Sequence, residues 1–190
     1  TAASSATDGS VSLTSTGATG NVDLAGAIDV DNNLTIVSGF DTSSSGAVTV
    51  ENDISITSGG DVTLADVTTS AAGSDADLVI AATNDVNLDG DVTVKGDITV
   101  TNSQTAASII DATGKALTAD NDITITGKDT VTVDDLVTTV GSVTIQAGND
   151  ITVGTSAASD INNGSLTLTS LSPNEGANEG IVTIAQAVVV

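Results

Sequence analysis

The chain has 190 residues, with 25 acidic side chains against three lysines, no histidine and a formal charge of −22. A surface of that sign repels phosphates and anionic headgroups, which excludes direct nucleic-acid binding and adhesion to an anionic membrane. The apolar 39% is almost wholly Val, Ile, Leu and Ala; Phe40 is the only aromatic, and Cys, Met, Trp and Tyr are absent.

A globular core of this length uses several aromatics to fill its volume. A solenoid only about 10 Å thick between its sheets is filled by β-branched aliphatics instead. The composition therefore favours thin layers, and with no cysteine their stability must come from stacking alone. No run reaches the roughly 18 to 20 apolar residues of a membrane helix. Neither an initiating Met nor a charged-then-apolar leader is present, so a processed product or a segment of something longer is expected.

Residues 1–8 read as a low-complexity lead-in. After them, apolar–polar–apolar triplets recur almost to the end: Val22-Asp23-Leu24, Ile28-Asp29-Val30, Leu34-Thr35-Ile36, Val48-Thr49-Val50, Ile54-Ser55-Ile56, Val62-Thr63-Leu64, then Val92-Thr93-Val94 through Leu166-Thr167-Leu168. Alternation of this kind turns two side chains inward and one outward, the period of a strand. Starts at 22, 28 and 34, and again at 86, 92 and 98, are six residues apart, which suits short strands joined at two-residue corners. Gly, Asn and Asp at those corners tolerate left-handed backbone angles. Longer breaks fall at 37–47, 65–77, 101–116, 154–164 and 170–180. Residues 104–117 allow at most a short turn interrupted at Gly114. Pro173 sits in a loop, where its missing N–H does no harm.

The chain also repeats itself on a longer scale. Val22 to Ile36 matches Val86 to Val100 at an offset of 64, Ala47 to Thr69 matches Ala116 to Thr138 at 69, and Leu78 to Leu88 matches Val143 to Val153 at 65. Residues 22–85 and 86–150 are thus approximate super-repeats within a single array spanning 1–190. The expected fold is all-β: a right-handed parallel β-helix, a β-solenoid with variable loops. Roughly nineteen strands at three per coil make six to seven coils. A left-handed hexapeptide helix needs an unbroken six-residue period, which is absent. A β-sandwich needs longer strands than four residues with two-residue links. No capping helix precedes Val11 and the chain closes on Val188-Val189-Val190, so flanking repeats of the same polypeptide or end-to-end self-association are expected.

Candidate chemistry is sparse. Asp residues at Asn-Asp and Gly-Asp corners, among them Asp53, Asp85, Asp122 and Asp150, read either as strand-preceding corners facing solvent or as carboxylate ladders relieved by Ca²⁺. The nonapeptide calcium signature is missing. Outward threonines at 35, 49, 63, 93, 99, 124, 132, 144 and 152 read either as good strand formers or as ladders for ice. The second reading needs two outward threonines per strand, as at Thr99/Thr101, Thr124/Thr126 and Thr167/Thr169. With no His or Cys there is no triad base or thiol nucleophile, and no enzyme is expected. Asp134-Asp135 is an acidic pair whose members alternate faces and need not converge. Phe40 is expected to pack its own loop, and Lys95, Lys115 and Lys128 to be solvated or paired with Asp.

The runs Asn52-Asp53-Ile54-Ser55-Ile56-Thr57-Ser58-Gly59-Gly60-Asp61-Val62-Thr63-Leu64 and Ala147-Gly148-Asn149-Asp150-Ile151-Thr152-Val153 resemble repeats of filamentous-haemagglutinin-like exoproteins and other giant bacterial β-strand-repeat surface proteins. The resemblance covers most of residues 9–169. It implies a secreted β-helical shaft at the bacterial cell surface, used for adhesion, coating or filament building. The expected role is therefore structural or adhesive: the shaft of a large adhesin or a subunit of a stacked filament. The alternatives are a calcium- or ice-binding surface module and, behind it, a polysaccharide-active enzyme. No cofactor is expected unless Ca²⁺ binds.

Overall fold

The computed structural model describes residues 4–6, 9–71, 75–104, 107–154, 159–171 and 180–190. These contain strands and no helix, so no helix is long and apolar enough to cross a membrane. In chain order, β1 (Ser4–Ala6) precedes a first coil of β2 (Val11–Ser15), β3 (Val22–Leu24) and β4 (Ile28–Val30). The second coil is β5 (Leu34–Ser38), β6 (Thr42–Ser44) and β7 (Val48–Val50), and the third is β8 (Ile54–Ser58), β9 (Val62–Leu64) and β10 (Val67–Thr69). The fourth is β11 (Leu78–Ala82), β12 (Val86–Leu88) and β13 (Val92–Val94). Then β14 (Ile98–Asn102) leads into β15 (Ile110–Ala119), and β16 (Ile123–Gly127) into β17 (Val131–Thr138). The array closes with β18 (Val143–Ala147), β19 (Ile151–Val153) and β20 (Ser159–Ile161), then β21 (Leu166–Ser170), β22 (Val182–Ile184) and β23 (Val188–Val189).

Every pairing is parallel and joins one coil to the next, which makes a β-solenoid of about seven turns. Three faces result. The five-residue strands β2, β5, β8, β11, β14, β16, β18 and β21 form the first, an eight-stranded sheet. The second runs through β3, β6, β9 and β12, and the third through β1, β4, β7, β10 and β13. The long strands β15 and β17 each cross the corner between those two faces, joining them into one fifteen-stranded sheet. Gly114 lies at that bend in β15, with φ +72, where a side chain would be strained. Residues 110–117, inside the segment expected to form a turn, are thus strand.

The interior is a set of axial ladders. On the first face Leu34, Ile54, Leu78, Ile98, Ile123 and Val143 stack in register, as do Ile36, Ile56, Ile80, Val100, Ile125 and Ile145. Nearly all of these are under 2% exposed. The same register accounts for the long-range repetition: Val22 reaches Val86 in three steps through Thr42 and Val62, and Leu78 reaches Val143 through Ile98 and Ile123. Offsets of 64 and 65 residues are therefore three coils.

Several segments read as breaks contain strands. β6 lies within 37–47, β10 within 65–77, the start of β15 within 101–116 and β20 within 154–164. The lead-in likewise holds β1, which pairs with β4. The inward residues of β6, and one each in β10 and β20, are Thr42, Ser44, Thr69 and Ser159, all buried. Hydroxyl side chains erase the apolar alternation while still facing the core. Pro173 and the middle of the break at 170–180 lie outside the described residues.

Candidate functional surface

The corners carry most of the acidic side chains. From β5 onward the residue before each first-face strand belongs to one axial column: Asn33, Asp53, Asp77, Asp97, Asp122, Ser142 and Ser165. Each side-chain oxygen accepts the backbone N–H of the next member, at 3.2 Å for Asp53, 3.1 Å for Asp77, 2.8 Å for Asp97, 2.9 Å for Asp122, 2.7 Å for Ser142 and 3.1 Å for Ser165. A second column before the second-face strands runs Asn21, Asp41, Asp61, Asp85 to the N–H of Ile109. A shorter one links Asp66 and Asp91 to Ala116. Asn and Asp occupy these corners because a short side chain with an acceptor oxygen can satisfy an N–H that the turn removes from the sheet ladder.

This geometry places the four candidate metal ligands. Asp53 and Asp122 share the first column and Asp85 lies in the second; the carboxylate of Asp150 accepts from Ile181 N–H at 2.9 Å. Asp53 and Asp122 are three coils apart, about 14 Å along the axis. Among the described residues no three acidic side chains gather where they would hold a metal ion. Each of the four gives one oxygen to the neighbouring coil.

Buried hydroxyls do similar work inside the corners. Ser38 Oγ donates to Asp41 O at 2.7 Å, and Ser58 Oγ to Asp61 O at 3.0 Å. Asn102 accepts from Lys128 N–H at 2.7 Å and donates to Ile109 O. Thr42 Oγ1 is the exception: among the described residues it is buried without a partner. Phe40 stands 41% exposed on a corner. Lys95 pairs with Asp120 at 3.4 Å across the surface.

Asp134 and Asp135 diverge. Val133 and Asp134 are both buried because β17 bends there and breaks the alternation. Asp134 Oδ2 accepts from Gly114 N–H at 3.0 Å. Asp135 is half-buried, and burial, followed by the charges of Asp134, Asp91 and Asp160, raises its pKa above the ordinary carboxylate range.

The outward side chains differ sharply between faces. The threonines read either as strand formers or as ladders for ice are divided among three faces: Thr35, Thr99, Thr124 and Thr144 on the first, Thr63, Thr132 and Thr152 on the second, Thr49 and Thr93 on the third. The second and third faces show one outward residue per short strand and include Asp23, Asp111, Asp29 and Asp160. The first face shows two per strand, and all three double-threonine strands (β14, β16 and β21) lie on it. Its other strands present Ser12/Thr14, Thr35/Val37, Ser55/Thr57, Val79/Ala81 and Thr144/Gln146. None of these outward positions is charged, in a chain of net charge −22. Strand length was the signal available in the sequence: five-residue strands turn two residues outward, three-residue strands only one.

No protein-family model, curated protein or solved structure matches this chain.

Proposed function

We propose that the chain is a structural segment of an extracellular bacterial surface protein, either the shaft of a large adhesin or the repeating unit of an end-to-end filament. The observation that carries this reading is the unbroken axial register, in which each strand pairs only with its counterparts in adjacent coils. Such an array contacts nearest neighbours along one dimension, so length can be added without redesigning the core. Seven rung-to-rung steps rise about 34 Å. High negative charge keeps an elongated, aliphatic-cored array soluble and opposes lateral clumping. The resemblance of residues 52–64 and 147–153 to haemagglutinin-like repeats points the same way. Asp134-Asp135 lends no support to a hydrolase, since Asp134 is buried against the Gly114 N–H.

Size-exclusion chromatography and negative-stain imaging over a concentration series test the proposal. Rods support a shaft, and rods that lengthen in whole-chain steps with concentration support the filament form. Particles no longer than the about 34 Å of one chain at every concentration would overturn the filament form, and a circular-dichroism spectrum without β-structure would overturn both.

A further inference from the structure

We propose that the first face, centred on β14, β16, β18 and β21, binds the surface of ice. Its outward columns hold Thr99, Thr124, Thr144 and Thr167 in one line and Thr101, Thr126, Gln146 and Thr169 in the other, fixed in register by consecutive parallel pairings. Threonine is β-branched and stiff at χ1, so the hydroxyls and methyls are presented already ordered. Among the described residues of this face Thr101 spends its hydroxyl on the protein, Oγ1 donating to Ile80 O at 3.3 Å; Thr99, Thr124 and Thr126 are half-buried, and Thr144, Thr167 and Thr169 are exposed.

The rung spacing suits a water lattice, and the paired threonines of β14, β16 and β21 single out this face from the other two. Rungs of a parallel sheet repeat at about 4.8 Å. Water oxygens bonded at about 2.75 Å in a tetrahedral network place second neighbours about 4.5 Å apart. Over three steps the mismatch is about 1 Å, so four rungs stay in step with the lattice. Ice is also neutral, as the face is, while the acidic residues sit at the corners beside it. A polysaccharide would be recognised through stacked aromatics, and the face has none. A second copy would bring two sets of acidic corners together.

The test uses the purified chain in nanolitre osmometry with observation of single ice crystals. The wild type is expected to facet ice and to open a gap between melting and freezing temperatures. Thr99→Lys and Thr124→Lys should abolish both effects, whereas Thr132→Lys and Thr93→Lys, on the second and third faces, should retain them. Rounded crystals with no gap for the wild type would overturn the proposal, as would equal loss in all four variants. A face-to-face dimer in sedimentation, broken by Thr124→Lys and without effect on ice, would assign the face to a second copy instead. Should the face variants fail to fold, fluorescently labelled wild type must still decorate defined planes of a growing crystal, and an unlabelled crystal would refute the assignment. Rod shape in solution is independent of each result, so this proposal can fail while the structural reading stands.

Discussion

The aspartate column places a favourable and an unfavourable interaction on the same side chain, and Asp97 separates them. Its carboxylate accepts the Asp122 N–H at 2.9 Å, while Asp77 stands one coil away on the other side and gives its own oxygen to the Asp97 N–H. Carboxylates spaced by one rung, about 4.8 Å, repel by about 0.9 kcal/mol per neighbour in unscreened water. A hydrogen bond to a charged acceptor contributes about 1.5–3 kcal/mol and to a neutral one about 1 kcal/mol. Asp97→Asn keeps an acceptor and removes the charge, so at about 10 mM salt the relief of about 1.8 kcal/mol from two neighbours offsets the about 0.5–2 kcal/mol lost with the weaker bond, and the variant melts close to wild type. At about 1 M salt, where the Debye length is about 3 Å, the repulsion is already screened and the same variant becomes less stable than wild type. Asp97→Ala loses the acceptor altogether and should lie about 1 kcal/mol below Asp97→Asn at every salt concentration. For a chain of this size that is a difference of about 2–4 °C in melting midpoint. Thermal melts of the three proteins across a salt series provide the assay. If Asn and Ala variants melt together, the carboxylate is not a structural acceptor; if salt improves Asp97→Asn relative to wild type, the repulsion argument is wrong.

Further outcomes follow from the packing and from the charge at Asp135. Ile80 is fully buried between Ile56 and Val100 in its ladder, so Ile80→Ala should cost about 3 kcal/mol in urea denaturation. Val79→Ala, one residue away on the exposed side, should stay within about 0.5 kcal/mol. Thr42→Val keeps the shape, removes a buried hydroxyl with no partner and suits a column that has Val22 below and Val62 above, so it should stabilise by about 1 kcal/mol. A Cβ at Gly59 would run into the Gly39 carbonyl of the preceding coil, and Gly59→Ala should lower stability by about 1–3 kcal/mol in the same assay. The folded chain binds a proton at Asp135 more tightly than the unfolded chain does, so this group's contribution weakens as pH rises above the ordinary carboxylate range. Asp135→Asn should therefore raise the melting midpoint at neutral pH, with the gain vanishing as pH falls through that range.

Alternation was enough to establish the strands and the solenoid, because it is a local property: a side chain two residues along a strand returns to the same face whatever the rest of the chain does. Inward pairs such as Ile54/Ile56 and Ile98/Val100 were legible in that sense, as were the six-residue steps from Val22 to Leu34, whereas the coil-to-coil stacking of Ile54, Leu78 and Ile98 came from the register. Strands whose inward residues are hydroxyls, such as Thr42-Ser43-Ser44, were not, since burial of a polar side chain depends on a turn carbonyl or N–H that only the folded corner supplies. Tertiary structure also decided which threonines share a face. Variable loops set each coil between 19 and 31 residues in the observed register, so Thr99 and Thr124 stack while Thr93 and Thr99 part company around a corner. The direction of the aspartate side chains was decided in the same way. As sequence they mark corners; only stacking aims each carboxylate along the axis, at an N–H some twenty residues away that no local pattern contains.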